Sequence, residues 1–225
     1  MGVNAPEEDE ISLDDLFHRH TMPLDHQIAL KTALHRLTRK FSSMFTEHTI
    51  EGFLTGSYEQ YAGQSRVPHF VHILAERFAF ERLTAFAVAE HHLTSGQPIV
   101  VFVCQTNDLL SPMARGLFMK HAGAGALAWS AGIEPALTLR PGARDTLKEI
   151  GVDISKDFPK PLAQEMLLAA STVVGFGRLD RIPLLPGREY LEADAPSPVP
   201  GDDDSLRQIR DWLDGQTAEL LARLS

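Results

Sequence analysis

The sequence has a single cysteine among 225 residues, so no internal disulfide can form and a reducing cytoplasm is the expected location. Its 21 basic residues face 30 acidic ones, and the net charge of −9 leaves no basic surface for nucleic acid. No apolar run approaches the ~20 residues needed to cross a bilayer. The amino-terminal segment lacks the basic stretch and apolar core of a secretory signal. We therefore expect a cytoplasmic protein that binds neither nucleic acid nor membranes.

The amino-terminal part of the chain has the periodicity of helices. Apolar side chains recur at steps of three and four residues in three segments, which places them on one face of each predicted helix. They are Leu30, Leu34, Leu37, Phe41 and Met44, then Ile50, Phe53, Leu54 and Tyr58, then Phe70, Leu74, Phe78 and Phe86. We predict a three-helix bundle over residues 24–95, preceded by an acidic tail over residues 1–23. Its predicted partners are a second copy of the chain or another protein.

The remainder, residues 96–225, alternates apolar β-branched runs with helical segments, which is typical of an α/β fold. The predicted strands cover residues 99–103, 126–131, 172–176 and 189–191, and the predicted helices cover 112–122, 141–150, 161–170 and 206–224. This order predicts a small parallel sheet with helices on both faces. Ligands of such sheets bind beyond the carboxyl ends of the strands.

Cys104 lies at the carboxyl end of the first predicted strand, in a loop that leads into a helix. The N–H groups of such a loop and the helix dipole favour an anion, and the same field favours the nucleophilic thiolate. Asn107 and Ser111 are placed to brace the loop by hydrogen bonds. The alternative is that Cys104 is a small buried apolar residue at a strand end. The predicted anion-binding loop consists of Gln105, Thr106, Asn107, Asp108, Leu109, Leu110 and Ser111.

Several motifs follow the cysteine in a fixed order. Cys104, Asn107, Ser111 and Pro112 precede the segments Trp129–Gly132, Glu134–Pro135, residues 141–155 (PGARDTLKEIGVDIS) and Pro159–Leu162. In this order and spacing, residues 99–225 resemble the low-molecular-weight protein-tyrosine-phosphatase and arsenate-reductase superfamily. The resemblance implies that the loop binds a phosphate or arsenate oxyanion and that Cys104 is the nucleophile. Residues 74–83 (LAERFAFERL) similarly resemble the three-helix extension of some actinobacterial members.

The chain departs from this family at two functional positions. The family arginine that grips the oxyanion would fall at Leu110, and a leucine cannot supply its paired hydrogen bonds. The aspartate that protonates the leaving group would fall at Ser197, whose hydroxyl is too weak an acid. Asp194, three residues earlier, is the remaining candidate acid. Arg178 or Arg181, after the third predicted strand, could supply the missing positive charge.

Two other side chains of the loop bear on its shape and charge. Thr106 replaces a glycine that is common in the family, which would matter if a positive φ were required there. Asp108 adds a negative charge beside the site. Arg115, one helical turn beyond the loop, is expected to point away from it.

Two functional hypotheses follow from the resemblance and its departures. In the first, the chain keeps the phosphatase fold with impaired or no catalysis, and acts by interaction or weak anion binding. In the second, it is an active tyrosine phosphatase or an arsenate reductase that depends on an external thiol, because it has no second cysteine. The histidines at positions 69, 72, 91 and 92 have no spacing that requires a metal, so we expect neither a metal nor a cofactor.

Overall fold

The computed structural model describes residues 11–62, 70–90, 96–177 and 179–224, and the chain divides into two compact units, residues 1–94 and 95–225. In the described part of the first unit there are four α-helices. They are α1 (Leu13–His20), α2 (Leu24–Phe41), α3 (Glu47–Ala62) and α4 (Val71–Ala89). The three longer helices fall on the three predicted helical segments, and their buried side chains include Leu30, Phe41, Leu54 and Phe78.

Helix α1 corrects the prediction of an acidic tail over residues 1–23. The side chain of Ser12 caps it by accepting a hydrogen bond from Asp15 N at 3.2 Å. Its Leu13, Leu16 and Phe17 are buried, and their spacing of three and four residues places them on one helical face. The acidic run at positions 7–10 lies outside the described residues. Phe70 also differs from its predicted place in a buried stripe: it precedes α4 and is 60% exposed.

The second unit holds a four-stranded parallel sheet in the order β2-β1-β3-β4. Its strands are β1 (Ile99–Cys104), β2 (Leu127–Gly132), β3 (Thr172–Gly175) and β4 (Glu189–Glu192), and its helices are α5 (Leu110–Ala122), α6 (Ala143–Lys148), α7 (Gln164–Ala169) and α8 (Asp203–Leu224). The predicted α/β class with a parallel sheet is thus confirmed. Every residue of the central strand β1 is buried, as its unbroken apolar sequence predicts.

The helices α6 and α7 are shorter than the predicted 141–150 and 161–170. Backbone groups before α7 pair with the end of β2 instead of forming a helical turn: Gly132 N donates to Lys160 O at 2.8 Å, and Leu162 N donates to Gly132 O at 3.0 Å. A residue that pairs with a strand end cannot also continue a helix. This bridge matters for the site, because Gly132 is paired with Cys104 in the sheet.

None of the described helices is both long and apolar enough to cross a bilayer. Nor do the described residues contain a cluster of three or more histidine, cysteine, aspartate or glutamate side chains that could hold a metal. Of the four histidines considered above, the structure describes only His72.

The ring of His72 in α4 lies against the ring of His26 in α2, with centroids 4.7 Å apart and planes tilted by 48°. Its Nδ1 is buried and has no hydrogen-bond partner. Burial lowers the pKa of His72, the positive charge of His26 lowers it further, and Asp25 and Glu76 partly oppose this. A lowered pKa means that the folded state binds fewer protons than the unfolded state below about pH 6.5, the ordinary value for histidine. The fold therefore loses stability as the pH falls through this range.

We predict that His72→Gln makes the stability of the helical unit less dependent on pH between pH 7.5 and pH 5.5. Urea denaturation followed by circular dichroism measures this in the intact chain. The control is His35→Gln, because His35 lies exposed on the same helix as His26. An equal reduction in both variants would contradict a special role for the buried ring.

Candidate functional site

The sulfur of Cys104 lies at the end of β1 and has two polar contacts at the start of the loop. Asn107 N donates to Sγ at 3.2 Å. Ser111 Oγ lies 2.9 Å from Sγ, and either atom can be the donor of that hydrogen bond. Cys104 is 5% exposed. Asn107 and Ser111, which the sequence places near the cysteine, both contact it in the structure.

Asn107 is the centre of the loop's internal hydrogen bonds. It is fully buried, its φ of +48° is in the left-handed region, and asparagine tolerates that region better than most residues. Its Nδ2 donates to Ser111 Oγ at 2.8 Å, and its Oδ1 accepts from Lys160 N at 2.9 Å. Ser111 Oγ also lies 3.3 Å from the carbonyl oxygen of Ala131. One amide side chain therefore joins the loop, the first turn of α5 and the segment before α7.

The carbonyl groups of the loop are held from outside by the segment that follows β2. Cys104 O, Gln105 O, Thr106 O and Asp108 O accept hydrogen bonds of 2.8–3.1 Å from the backbone N–H groups of Ile133, Glu134, Ala136 and Arg140. In a trans peptide the N–H points opposite to the C=O. The N–H groups that follow these carbonyls therefore face the concave side of the loop, which is the geometry of an anion-binding nest.

The side chains of the loop do not add positive charge to this nest. Leu110 begins α5 and packs against the apolar core of the second unit. Asp108 accepts hydrogen bonds from Thr106 Oγ1 and, at 3.3 Å, from Arg140 Nε, and its side chain is 15% exposed. Thr106 does not have a positive φ; among the described non-glycine residues only Thr21 and Asn107 do. Threonine is therefore accommodated at this position without backbone strain.

Of the arginines considered near the loop, Arg115 and Arg181 are each paired with a carboxylate. Arg115 Nη1 contacts both carboxylate oxygens of Asp157 at 3.1 and 3.2 Å, and its Nε donates to Ala128 O, so it points away from the loop as expected. Arg181 lies in a 3-10 turn, Leu179–Arg181, and donates to Glu134 Oε1 at 2.8 Å. Arg178 lies outside the described residues.

The two candidate acids follow the edge strand β4. Ala193 N donates to Gly175 O at 2.9 Å, so the chain leaves the sheet immediately before Asp194. Asp194 and Ser197 are both exposed. In the sheet, β3 lies between their strand and β1, the strand of the cysteine. The role of Asp194 as an acid stays a prediction.

Comparison with known proteins gives this site a family. The sequence model of the low molecular weight phosphotyrosine protein phosphatases matches residues 99–225. The chain belongs to this family. A second model, described as the protein-tyrosine-phosphatase-like N-terminal domain, matches residues 30–87 of the helical unit. The resemblances predicted for both parts of the sequence are confirmed.

The relatives include arsenate reductases as well as phosphatases. An arsenate reductase of Halalkalibacterium halodurans is 34% identical over 124 residues, which is 51% of this chain and 88% of that protein. The structure of a thioredoxin-dependent arsenate reductase from Corynebacterium glutamicum is 33% identical, with a TM-score of 0.78, and the match covers 88% of this chain and 98% of that one. A low molecular weight protein tyrosine phosphatase of T. tengcongensis is 27% identical, with a TM-score of 0.51, over 57% of this chain and 100% of that one.

The structure explains the family motifs that sequence reasoning could only match. Glu134, in one motif, supplies a backbone N–H that holds the loop, and Lys160, in another, supplies the N–H that holds Asn107. Gly132 is required by close approach: a Cβ added there would lie 2.9 Å from Asn107 Cβ and 3.0 Å from Asn107 N. The order of the motifs indicates that these segments meet at the loop. It does not identify which atoms form the contacts.

We predict that Gly132→Ala lowers the free energy of unfolding of the second unit by about 1–3 kcal/mol, because the new methyl group meets the backbone of the loop. Urea denaturation measures the change. The control is Gly215→Ala in α8, where a Cβ meets no atom within 4 Å and the expected change is a gain of about 0.5–1 kcal/mol. Equal stability of the two variants would argue against a tight packing of the loop on β2.

Proposed function

We propose that this chain is a catalytically impaired member of its family, which retains the oxyanion-shaped loop and acts by protein interaction or weak binding of phosphate or arsenate. The observation that carries the proposal is Leu110. It occupies the position of the family arginine, and its side chain packs on the apolar core. The loop therefore offers an anion only backbone N–H groups and the dipole of α5.

The missing guanidinium has a large chemical cost. In family enzymes it forms two parallel charge-assisted hydrogen bonds to the oxyanion, which are strong and specific in geometry. Removal of one comparable donor to a transition state typically lowers the rate by roughly 10²–10³. A leucine at the same place offers no hydrogen-bond donor, so it supplies nothing in exchange.

The missing acid adds to this cost. A leaving oxygen needs a proton as its bond to phosphorus breaks, and a positioned general acid typically contributes roughly 10²–10⁴ in rate. Ser197 is exposed and cannot donate a proton readily at neutral pH. Asp194 is exposed as well, and the edge-strand position described above supports no close approach to Cys104.

The helical unit supports the interaction part of the proposal. Exposed apolar side chains on or beside α2 and α4 are Leu24, Ile28, Phe70, Ile73 and Phe80. Surfaces of this composition commonly bind another protein, and a second copy of the chain is one such partner. Light scattering of the purified chain measures self-association directly. A mass of one chain at high protein concentration would leave a different protein as the only partner class.

The alternative is an active enzyme, and one observation favours it: hydrogen bonds join Cys104, Asn107 and Ser111 to one another. As a phosphatase, Cys104 would take the phosphoryl group and water would release it. As an arsenate reductase, Cys104 would bond to arsenic with loss of water. An external thiol would then attack the sulfur and leave it as a mixed disulfide, and the two electrons would reduce arsenic from the +5 to the +3 state. The chain has no second cysteine for this step, so the thiol must come from a small molecule or another protein.

We predict that the natural chain neither hydrolyses an aryl phosphate nor reduces arsenate with a thiol reductant at a rate above that of Cys104→Ser. The double variant Leu110→Arg, Ser197→Asp should gain phosphatase activity by about 10² or more, because it restores a donor and an acid to an intact loop. Hydrolysis of p-nitrophenyl phosphate and arsenite release measure the two activities. Activity of the natural chain that Cys104→Ser abolishes would establish the enzyme and refute the impaired reading.

A further inference from the structure

An ion pair joins the two segments that flank the Cys104 loop. Arg181 Nη1 donates to Glu134 Oε1 at 2.8 Å, and Glu134 N donates to Gln105 O, the residue next to the cysteine, at 2.8 Å. The carboxylate partner of Arg181 thus belongs to a residue bonded directly to the loop.

The sheet order places the two partners on opposite sides of Cys104. Glu134 follows β2, Arg181 follows β3, and β1 lies between these strands. On the β3 side, Phe176 N donates to Val103 O at 2.8 Å. The turn that carries Arg181 folds back over Gly175, where a Cβ would meet the side chain of Leu179 at 2.5 Å. The ion pair therefore passes over the carboxyl end of β1, where the loop begins.

We propose that Arg181 supplies the positive charge for an oxyanion in the Cys104 loop, in place of the arginine lost at position 110, and that Glu134 competes with the oxyanion for it. This inference rests on the oxyanion binding in the proposed function. The ligand is a phosphate-like or arsenate-like anion that accepts hydrogen bonds from the loop N–H groups and from the guanidinium together.

Because the ion pair is exposed, replacement of Glu134 by an oxyanion at Arg181 costs little free energy. The side chains of Arg181 and Glu134 are 36% and 64% exposed, and ion pairs in contact with water contribute little to stability. An oxyanion offers the guanidinium two acceptor oxygens, as the carboxylate does.

Arg140, which also lies beside the loop, is unsuited to this role. Its Nε donates to Asp108 Oδ2, and its backbone N donates to Asp108 O. The second bond places it on the side to which the loop carbonyls point, opposite to the concave side of the N–H groups. Its guanidinium neutralises Asp108 there, which removes a repulsion to an incoming anion without touching the anion.

The test is a titration of the ¹⁵N-labelled full chain with sodium phosphate, and separately with arsenate, at constant ionic strength, followed through the amide signals of Gln105, Thr106 and Leu109. We expect Glu134→Gln to bind about five-fold more tightly than the natural chain, and Arg181→Gln about five-fold more weakly. The matched controls are Glu189→Gln and Arg223→Gln. They remove an exposed ion pair of 3.0 Å at the amino end of β4, at the opposite edge of the sheet, and should leave the affinity unchanged.

The outcomes separate this inference from the proposed function. Binding that is equal in the natural chain, Glu134→Gln and Arg181→Gln would overturn the role of Arg181 and leave a weak anion-binding loop intact. Binding only in Leu110→Arg would also overturn the role of Arg181. The loop could then bind an oxyanion, but Arg181 would not supply the positive charge. If the loop amides of no variant respond, Leu110→Arg included, the loop binds no oxyanion, and that half of the proposed function fails. The loss of catalysis is decided separately, by the activity measurements.

Discussion

The candidate site depends on one buried amide, the side chain of Asn107. In a left-handed backbone conformation it donates to Ser111 and accepts from Lys160, while its own N–H reaches the sulfur of Cys104. These contacts join the central strand, the first turn of α5 and the segment before α7. A buried amide is costly unless its hydrogen bonds are satisfied, and here both ends of the side chain have partners. The shape of the loop is therefore fixed by groups that do not take part in charge stabilisation.

This separation explains how the loop can survive the loss of its arginine. The guanidinium of the family acts on the ligand, whereas Asn107, Ser111 and Gly132 act on the backbone. Leu110 packs on the core, and the hydrogen bonds of Asn107 and Ser111 are present beside it. A frame of this kind stabilises the fold whether or not the site is catalytic. Retention of the frame is consequently weak evidence for retention of catalysis, and the charge at the mouth is the more informative feature.

The sequence predicted the structure best where a residue pattern has a single physical explanation. The apolar run of β1, the parallel order of strands and the bracing by Asn107 and Ser111 could all be predicted. Helix α1 was not predicted, because the acidic run before it indicated a solvated tail. The Ser12 cap and the spacing of Leu13, Leu16 and Phe17 are nevertheless helix signals in the sequence. The bridge at Lys160–Leu162 could not be foreseen, since it replaces a helical turn by pairing with a strand distant in sequence. Partners of exposed arginines depend on where separate loops meet, which no local pattern records.

The charges around the loop complete the physical account. Asp108 is matched by Arg140, and Arg181 by Glu134, so in the described structure each cation at the rim already has a carboxylate. If the loop binds an oxyanion as proposed, the anion would gain the N–H groups and helix dipole in full, but would gain a guanidinium only by displacing an acidic residue. Such binding would be weak, would depend on salt and would change when a single carboxylate is neutralised. Those properties suit a site that senses or holds an oxyanion better than one that must grip a transition state, for which a fixed, unshared donor is required.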